Sequence, residues 1–342
     1  MTTLEQGIVG NGTIAGLIDE TARYSWLCLP RFDGEPVFNE LLGGKGGFAV
    51  NLRGFTTSTQ TYVRNTAILE TILEAKDGSA IRVTDFAPRF VDKGRIFRPA
   101  SIVRSITPLR GMPTVSISLS ASNERGASEI PMVRGVSHIR FKDPQCGFRV
   151  TTDAPVSYVI DEREFVLDRE IHFILGPDEP LSDNVSVMAH DWLERTRSQW
   201  KDWARRLATP PDWQDAVIRA AITLKLCVYE ETGGIAAALT SSVPEHKGSE
   251  RNWDYRFCWL RDAYFTVTAL NLTVFFAKSA TKYIKNIPHS GNGLTRFEAG
   301  AVADCLEEIG DSVSELQDSL RELDSINHKD SSKFEMVMSD VK

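Results

Sequence analysis

Chemistry-bearing residue types crowd together in one stretch, Arg251-Asn252-Trp253-Asp254-Tyr255-Arg256-Phe257-Cys258-Trp259-Leu260-Arg261-Asp262. Neutral sugars are recognised by this mixture. An aromatic face stacks on the apolar C–H face of a pyranose, while Arg and Asp make directional, charge-assisted hydrogen bonds to its hydroxyls. The same composition also suits a loop held by internal Arg–Asp ion pairs and anchored by buried rings. Composition alone leaves both readings open.

Other chemistries find less support. Cys28, Cys146, Cys227, Cys258 and Cys305 are scattered, with no Cys-x-x-Cys pair, and their odd number argues against a disulfide framework. The six histidines are equally dispersed and none pairs with another at metal-ligand spacing, so neither a metal nor an organic cofactor is expected. A net charge of −7 gives no reason to approach phosphate backbones, which excludes nucleic acid as a partner. There is no run of 18 apolar residues, so no membrane span is expected. The opening MTTLEQGIVGNGTIAGLIDE has acids where a signal peptide needs a basic and then an apolar stretch, and the expected compartment is cytoplasmic.

The elements that must position the 251–262 stretch fall into two kinds. Residues 1–185 read as β. Tyr62–Glu74 and Ala80–Phe86 are rich in β-branched and aromatic residues, with Asp77-Gly78 as the turn between them. Further strands are expected at Ser101–Thr107, Thr114–Ser120, Gly135–Phe141, Phe148–Thr152, Val156–Ile160 and Ile171–Leu175, as in two packed antiparallel sheets. Near residue 186 the period changes. Trp192, Leu193, Thr196, Trp200, Trp203, Ala204 and Leu207 recur every three or four residues, a helix face that Pro210-Pro211 ends. A second helix is predicted from Trp213, with Val217, Ile218, Ala221, Leu224 and Val228 on one side, until Gly233-Gly234. After a polar loop, Ser241–Arg251, a third is predicted to begin near Asp262.

Several motifs stand in a telling order: Gly10-Asn11-Gly12, Ser25-Trp26-Leu27-Cys28-Leu29-Pro30-Arg31-Phe32-Asp33, Val83-Thr84-Asp85-Phe86, Leu224-Lys225-Leu226, Ile235–Glu245 and the 251–262 stretch. Together they resemble the glucoamylase/trehalase family of glycoside hydrolases, over residues 1–272. The resemblance implies a β-sandwich followed by an all-α (α/α)6 barrel that hydrolyses α-glucosides with inversion. It implies that Tyr255 and Trp259 are the aromatic residues at the non-reducing-end glucose subsite, and that Arg261 and Asp262 hydrogen-bond the hydroxyls of that glucose. Trp253 and Asp254 are expected only to shape the loop. Trp26 and Asp33 are expected to be core and turn residues of the sandwich.

Inversion needs an acid that protonates the leaving oxygen and a base that activates water across the ring, about 6.5–9.5 Å away. In the family both are glutamates beyond the Arg–Asp pair, and nothing after residue 272 matches either. Twelve helices with their loops need roughly 200 residues, whereas 342 − 209 = 133 follow Thr209. The expectation is an incomplete barrel, inactive as given, with no catalytic residue assigned.

The tail differs in kind. Leu306, Ile309, Val313, Leu316, Leu320 and Leu323 are spaced 3, 4, 3, 4, 3, a seam that must pack on another helix. Asp304-Cys305-Leu306-Glu307-Glu308 with Asp311–Leu316 resembles the plant invertase/pectin methylesterase inhibitor family, a four-helix bundle. Two unrelated segments therefore meet near 270–276. The expected class is α+β and multi-domain: an antiparallel β-sandwich over 1–185, a helical linker over 186–210, the start of an (α/α)6 barrel over 211–272 and a helical hairpin tail over 273–342. The expected partner is a glucose-terminated disaccharide or oligosaccharide, bound weakly. The alternative is an inhibitor or interaction module whose helices, through 297–325, take a protein partner or a second copy.

Overall fold

The computed structural model describes residues 5–142, 147–209, 213–240 and 251–270. All of them belong to one compact unit, Met1–Val274. The expected tail of 273–342, with its heptad seam, lies outside the described residues.

Two antiparallel sheets form the amino-terminal region. One has seven strands and runs Gly7–Gly10, Ala15–Ile18, Tyr24–Leu29, Gly47–Leu52, Thr114–Ser120 and Phe165–Val166, with Glu35–Phe38 beside Tyr24–Leu29. The other has eight, in the order Met132–Arg134, His138–Phe141, Phe148–Thr152, Ile171–Pro177, Ile102–Arg110, Ala80–Phe86, Leu69–Ala75 and Phe55–Tyr62. Leu69–Ala75 and Thr114–Ser120 bury every second residue, the period that turns one face of a strand to a core. Phe48 of the first sheet meets Phe173 of the second edge-on at 5.3 Å, within one continuous apolar cluster.

A charged pin crosses this core. Antiparallel register sets Arg104 opposite Asp85, and both side chains are fully buried. Arg104 Nε and Nη2 donate to the Asp85 carboxylate at 2.7 and 3.0 Å. Its Nη1 and Nη2 also reach the Phe48 and Ala22 carbonyls of the facing sheet's side at 2.8 and 2.7 Å. The rings of Tyr24 and Phe48 lie 4.6 and 4.5 Å from the guanidinium carbon. Burial pushes the Asp85 carboxyl up, and the Arg104 charge opposes that push.

Helix α1 spans Val156–Ile160, helix α2 Val185–Ala204 and helix α3 Gln214–Leu226. The first corrects the expected strand there. Pro155 opens the turn, and Val156 and Val159 are the buried residues, a spacing of three rather than two. In α2, Asn184 caps the start by accepting from the Ser186 N–H at 2.9 Å. Val185 and Ala189 pack with Phe86, Val103 and Ile174 on the outer face of the eight-stranded sheet, while Thr196, Trp200 and Ala204 continue the buried stripe. The helix ends at Ala204, ahead of Pro210-Pro211, which lie outside the described residues.

Two further boundaries differ from expectation. The expected single strand over Tyr62–Glu74 is broken after Tyr62, where Asn65 adopts φ 61° and the Val63 N–H donates to the Ile68 carbonyl at 2.9 Å. The second helix stops at Leu226 rather than at Gly233-Gly234. A hairpin of Val228–Tyr229 and Gly234–Ile235 follows, with Gly233 at φ 79° in its turn. Residues 260–270 are helical.

Candidate functional site

The 251–262 stretch is fastened to the first sheet before any of its side chains is considered. Ala236 and Cys258 form an antiparallel bridge. The Ala237 and Ala238 N–H groups donate to the Phe257 and Tyr255 carbonyls at 3.1 and 2.8 Å. Ala236 and Leu239 in turn pack on Ala15 and Phe32, and Trp26, itself buried, donates from Nε1 to the Leu239 carbonyl at 2.8 Å.

Arg256 is the main clasp. Asp254 accepts from the Arg256 backbone N–H at 3.0 Å and from its Nε and Nη2 at 3.0 and 2.7 Å. The other guanidinium arm donates to the Gly34 carbonyl at 2.6 Å and to Cys28 Sγ at 3.4 Å. Burial raises the Asp254 carboxyl, but the hydrogen bonds and charge of Arg256 outweigh it and hold the group below its usual value. The Asp254 hydrogen bond likewise raises Arg256. Burial pushes the Cys28 thiol up to about 12 despite the nearby Arg256 charge. Gly34 is obligatory here because a Cβ would stand 2.3 Å from the Leu29 carbonyl oxygen.

On this frame the four predicted residues come together. Tyr255 and Trp259 meet edge-on with centroids 5.5 Å apart, and Trp253 approaches Trp259 at 6.4 Å. Trp259 is oriented by its Nε1 donating to the Asp254 carbonyl at 3.2 Å. Arg261 lies 6.0 Å from the Trp259 centroid and donates from Nη2 to Asp262 Oδ2 at 2.9 Å. Both stand in the first turn of the 260–270 helix, whose first intrahelical bond is Ala263 N–H to the Trp259 carbonyl at 2.9 Å. The Arg261 side chain is 64% exposed and that of Asp262 31%. The arrangement offers ring edges and faces beside a hydrogen-bonding Arg–Asp pair open to solvent.

The other motifs are structural. Asn11 is fully buried; its Nδ2 donates to the Pro88 and Pro99 carbonyls and its Oδ1 accepts from the Thr13 and Ile14 N–H groups. Trp26 is a core residue, and Asp33 pairs with Arg31 in the following turn. Sequence reasoning missed Arg256 and Glu230. Glu230 accepts from Arg89 at 2.7 Å and Lys225 at 2.6 Å, and its N–H donates to the Gly12 carbonyl at 3.1 Å. Their near partners, Asp254 for Arg256 and Lys225 for Glu230, are local, but Gly34, Cys28, Arg89 and Gly12, which tie the two residues to the β region, lie far away in sequence and leave no local signal. Among the described residues one group has the types and spacing to hold a metal ion, Glu170, His172 and His190, and it shares no residue with the loop.

The comparisons with known proteins agree with this division. Residues 3–156 match the family described as trehalase-like, N-terminal, and residues 212–297 match glycosyl hydrolases family 15. Residues 259–342 match the plant invertase/pectin methylesterase inhibitor family. Among individual proteins, the chain is 29% identical to a trehalase of Thermoplasma volcanium over 298 residues, 81% of this chain and 46% of that protein. It is 40% identical to a trehalase of Mycobacterium tuberculosis over 84 residues, 24% of this chain and 12% of that protein. It is also 75% identical to Pectinesterase inhibitor 10 of Arabidopsis thaliana over 75 residues, 22% of this chain and 24% of that protein. About four-fifths of the chain is thus similar to trehalases and its last quarter to a pectinesterase inhibitor. The chain spans about half the length of the Thermoplasma trehalase. No helix among the described residues is long and apolar enough to cross a membrane.

Proposed function

We propose that residues 1–272 are the amino-terminal part of an α-glucoside hydrolase of the glucoamylase/trehalase type, the sheets of a β-sandwich carrying the first helices of an (α/α)6 barrel. In this reading Tyr255, Trp259, Arg261 and Asp262 hold a terminal glucose of a disaccharide or oligosaccharide. The observation that carries it is the joint geometry of the four. Two aromatic rings 5.5 Å apart on one loop stand beside an Arg–Asp pair at 2.9 Å in the first turn of the helix it leads into, and Arg256 anchors that loop to the Gly34 carbonyl. Inversion requires an acid and a base together, and no residue of 1–272 is assigned to either role, so the reading for this segment is sugar binding without hydrolysis.

With the site open to water, each hydrogen bond competes with solvent, and affinity should be millimolar or weaker, about −4 kcal/mol. NMR titration with glucose, maltose and trehalose tests this against Asp262→Asn. Loss of the shifts in the variant supports the reading, and identical titrations would place the site elsewhere. Hydrolysis above a blank, abolished by changing one carboxylate, would overturn the inactive assignment.

A second reading concerns residues 273–342, a protein-binding module that acts on a pectinesterase or invertase. The 75% identity to Pectinesterase inhibitor 10 over 75 residues favours it. A pectin methylesterase assay with and without the purified chain tests it, and undiminished esterase activity at saturating chain would rule it out.

A further inference from the structure

Glu170, His172 and His190 meet where helix α2 packs on the strand Ile171–Pro177, in a cluster that no sugar-site residue touches. Each of the three is held by a partner behind it. His190 Nδ1 lies 2.8 Å from the Ser186 carbonyl oxygen, which can only accept, so Nδ1 carries the hydrogen. A neutral His190 therefore presents its Nε2 lone pair on the side of Glu170. That Nε2 lies 3.0 Å from Glu170 Oε2. His172 Nδ1 lies 2.8 Å from the Ser105 hydroxyl, and its Nε2 stands 3.7 Å from the same Oε2. Glu170 Oε1 accepts the Thr107 hydroxyl at 2.7 Å.

Three side chains able to donate electron pairs thus converge, their ligand atoms within 4.8 Å of one another. We infer that Glu170, His172 and His190 form a binding site for a divalent transition-metal cation, zinc above all. Two imidazoles with one carboxylate suit zinc, nickel or cobalt rather than calcium or magnesium, which take oxygen ligands. Two ligand atoms about 2.0–2.2 Å from a tetrahedral ion stand roughly 3.3–3.5 Å apart. The observed spacings of 3.0 and 3.7 Å bracket that value, and all the ligand atoms lie within 4.8 Å of one another. His172 is buried, whereas Glu170 and His190 are 32% and 56% exposed, which leaves the fourth position to water and an entry path from solvent. The backing contacts from Ser186, Ser105 and Thr107 orient the ligands as outer-shell groups do in metal centres. Because His172 belongs to the sheet, Glu170 directly precedes its strand and His190 belongs to α2, the ion ties the connecting helix to the sheet.

The test is calorimetric titration of zinc into the chelator-stripped full chain, with thermal melts in parallel. One equivalent should bind at micromolar affinity or tighter and raise the melting temperature. His190→Ala, a change on an exposed helical face, should weaken binding at least 100-fold and abolish the rise. Glu170→Gln should weaken it 10-fold or more. His138→Ala, outside the cluster, should change neither. Absence of stoichiometric binding would overturn the site, leaving a His190–Glu170 ion pair in its place. Binding unchanged in His190→Ala or Glu170→Gln would overturn it equally, since the ion would then sit elsewhere.

Discussion

Replacing Asp85 with alanine leaves the Arg104 guanidinium inside the core with no route to water. Breaking a buried pair by removing one partner typically costs about 3–5 kcal/mol, and urea unfolding of Asp85→Ala should show a loss of that size. Arg31→Ala, which breaks an exposed pair with Asp33, should cost under about 1 kcal/mol. Glu230 behaves differently because its effect depends on pH. Burial raises its carboxyl, yet the hydrogen bonds and charges of Arg89 and Lys225 outweigh burial and hold it below the ordinary value. A carboxyl lowered in the folded state stabilises above its unfolded pKa of about 4.3, and that contribution is lost as pH falls through the folded value. Glu230→Gln should therefore melt below the wild-type chain at pH 7, by about 1.5–3 kcal/mol for a charge-assisted bond. The gap should close below about pH 4, and a gap that stays constant in acid would contradict the assigned role.

At the scale of elements, periodicity was a good guide where one face of a segment is buried and the other is not. Leu69–Ala75, which buries every second residue, was marked by its residue types and not by its bounds, whereas the stripe from Trp192 to Ala204 keeps its helical step and was legible. Val156–Ile160 was not, because five residues satisfy either period and only the preceding Pro155 tips the balance. The break after Tyr62 rests on Asn65 in the left-handed region, and the 228–235 hairpin on Gly233, local choices that an apolar pattern hides. Within the site, residue types marked the loop, but its clasp was invisible. Arg256 finds Gly34 and Cys28 at separations of 222 and 228 residues, and no sequence window holds both ends. Arg256→Ala should loosen the loop without unfolding the sheets, leaving Asp254 without its guanidinium partner. Hydrogen exchange at Ala237 and Ala238 should rise by about 10- to 100-fold, as loss of about 1.5–3 kcal/mol of charge-assisted bonding allows. Unchanged protection there would mean that the backbone bridge alone holds the loop.

For the whole molecule, the helices after residue 209 and the β region are not independent bodies. Trp200 of α2 packs with Ile222 and Leu226 of α3, and Ala15 and Phe32 pack with Ala236 and Leu239. A fragment ending at Thr209 keeps the core shared by the two sheets but uncovers both satellite clusters. It should retain a β-type circular dichroism spectrum, melt lower than the full chain and bind a hydrophobic dye, because newly exposed apolar patches are attractive to one. A fragment as stable as the full chain and silent to the dye would show that the helices merely rest on the sheets.

The clasp around Gly34 also has a history within each round of synthesis. The carbonyl, the thiol and the Trp26 indole that receive the loop lie within the first 34 residues, whereas Arg256 is added more than 220 residues later. At about 5–20 residues per second, the receiving strand leaves the ribosome roughly 10–45 s before the arginine that will grip it. A pause in translation after Pro177 and before Arg256 would hold a nascent chain that has all the strands of its two sheets while its 251–262 loop is unmade.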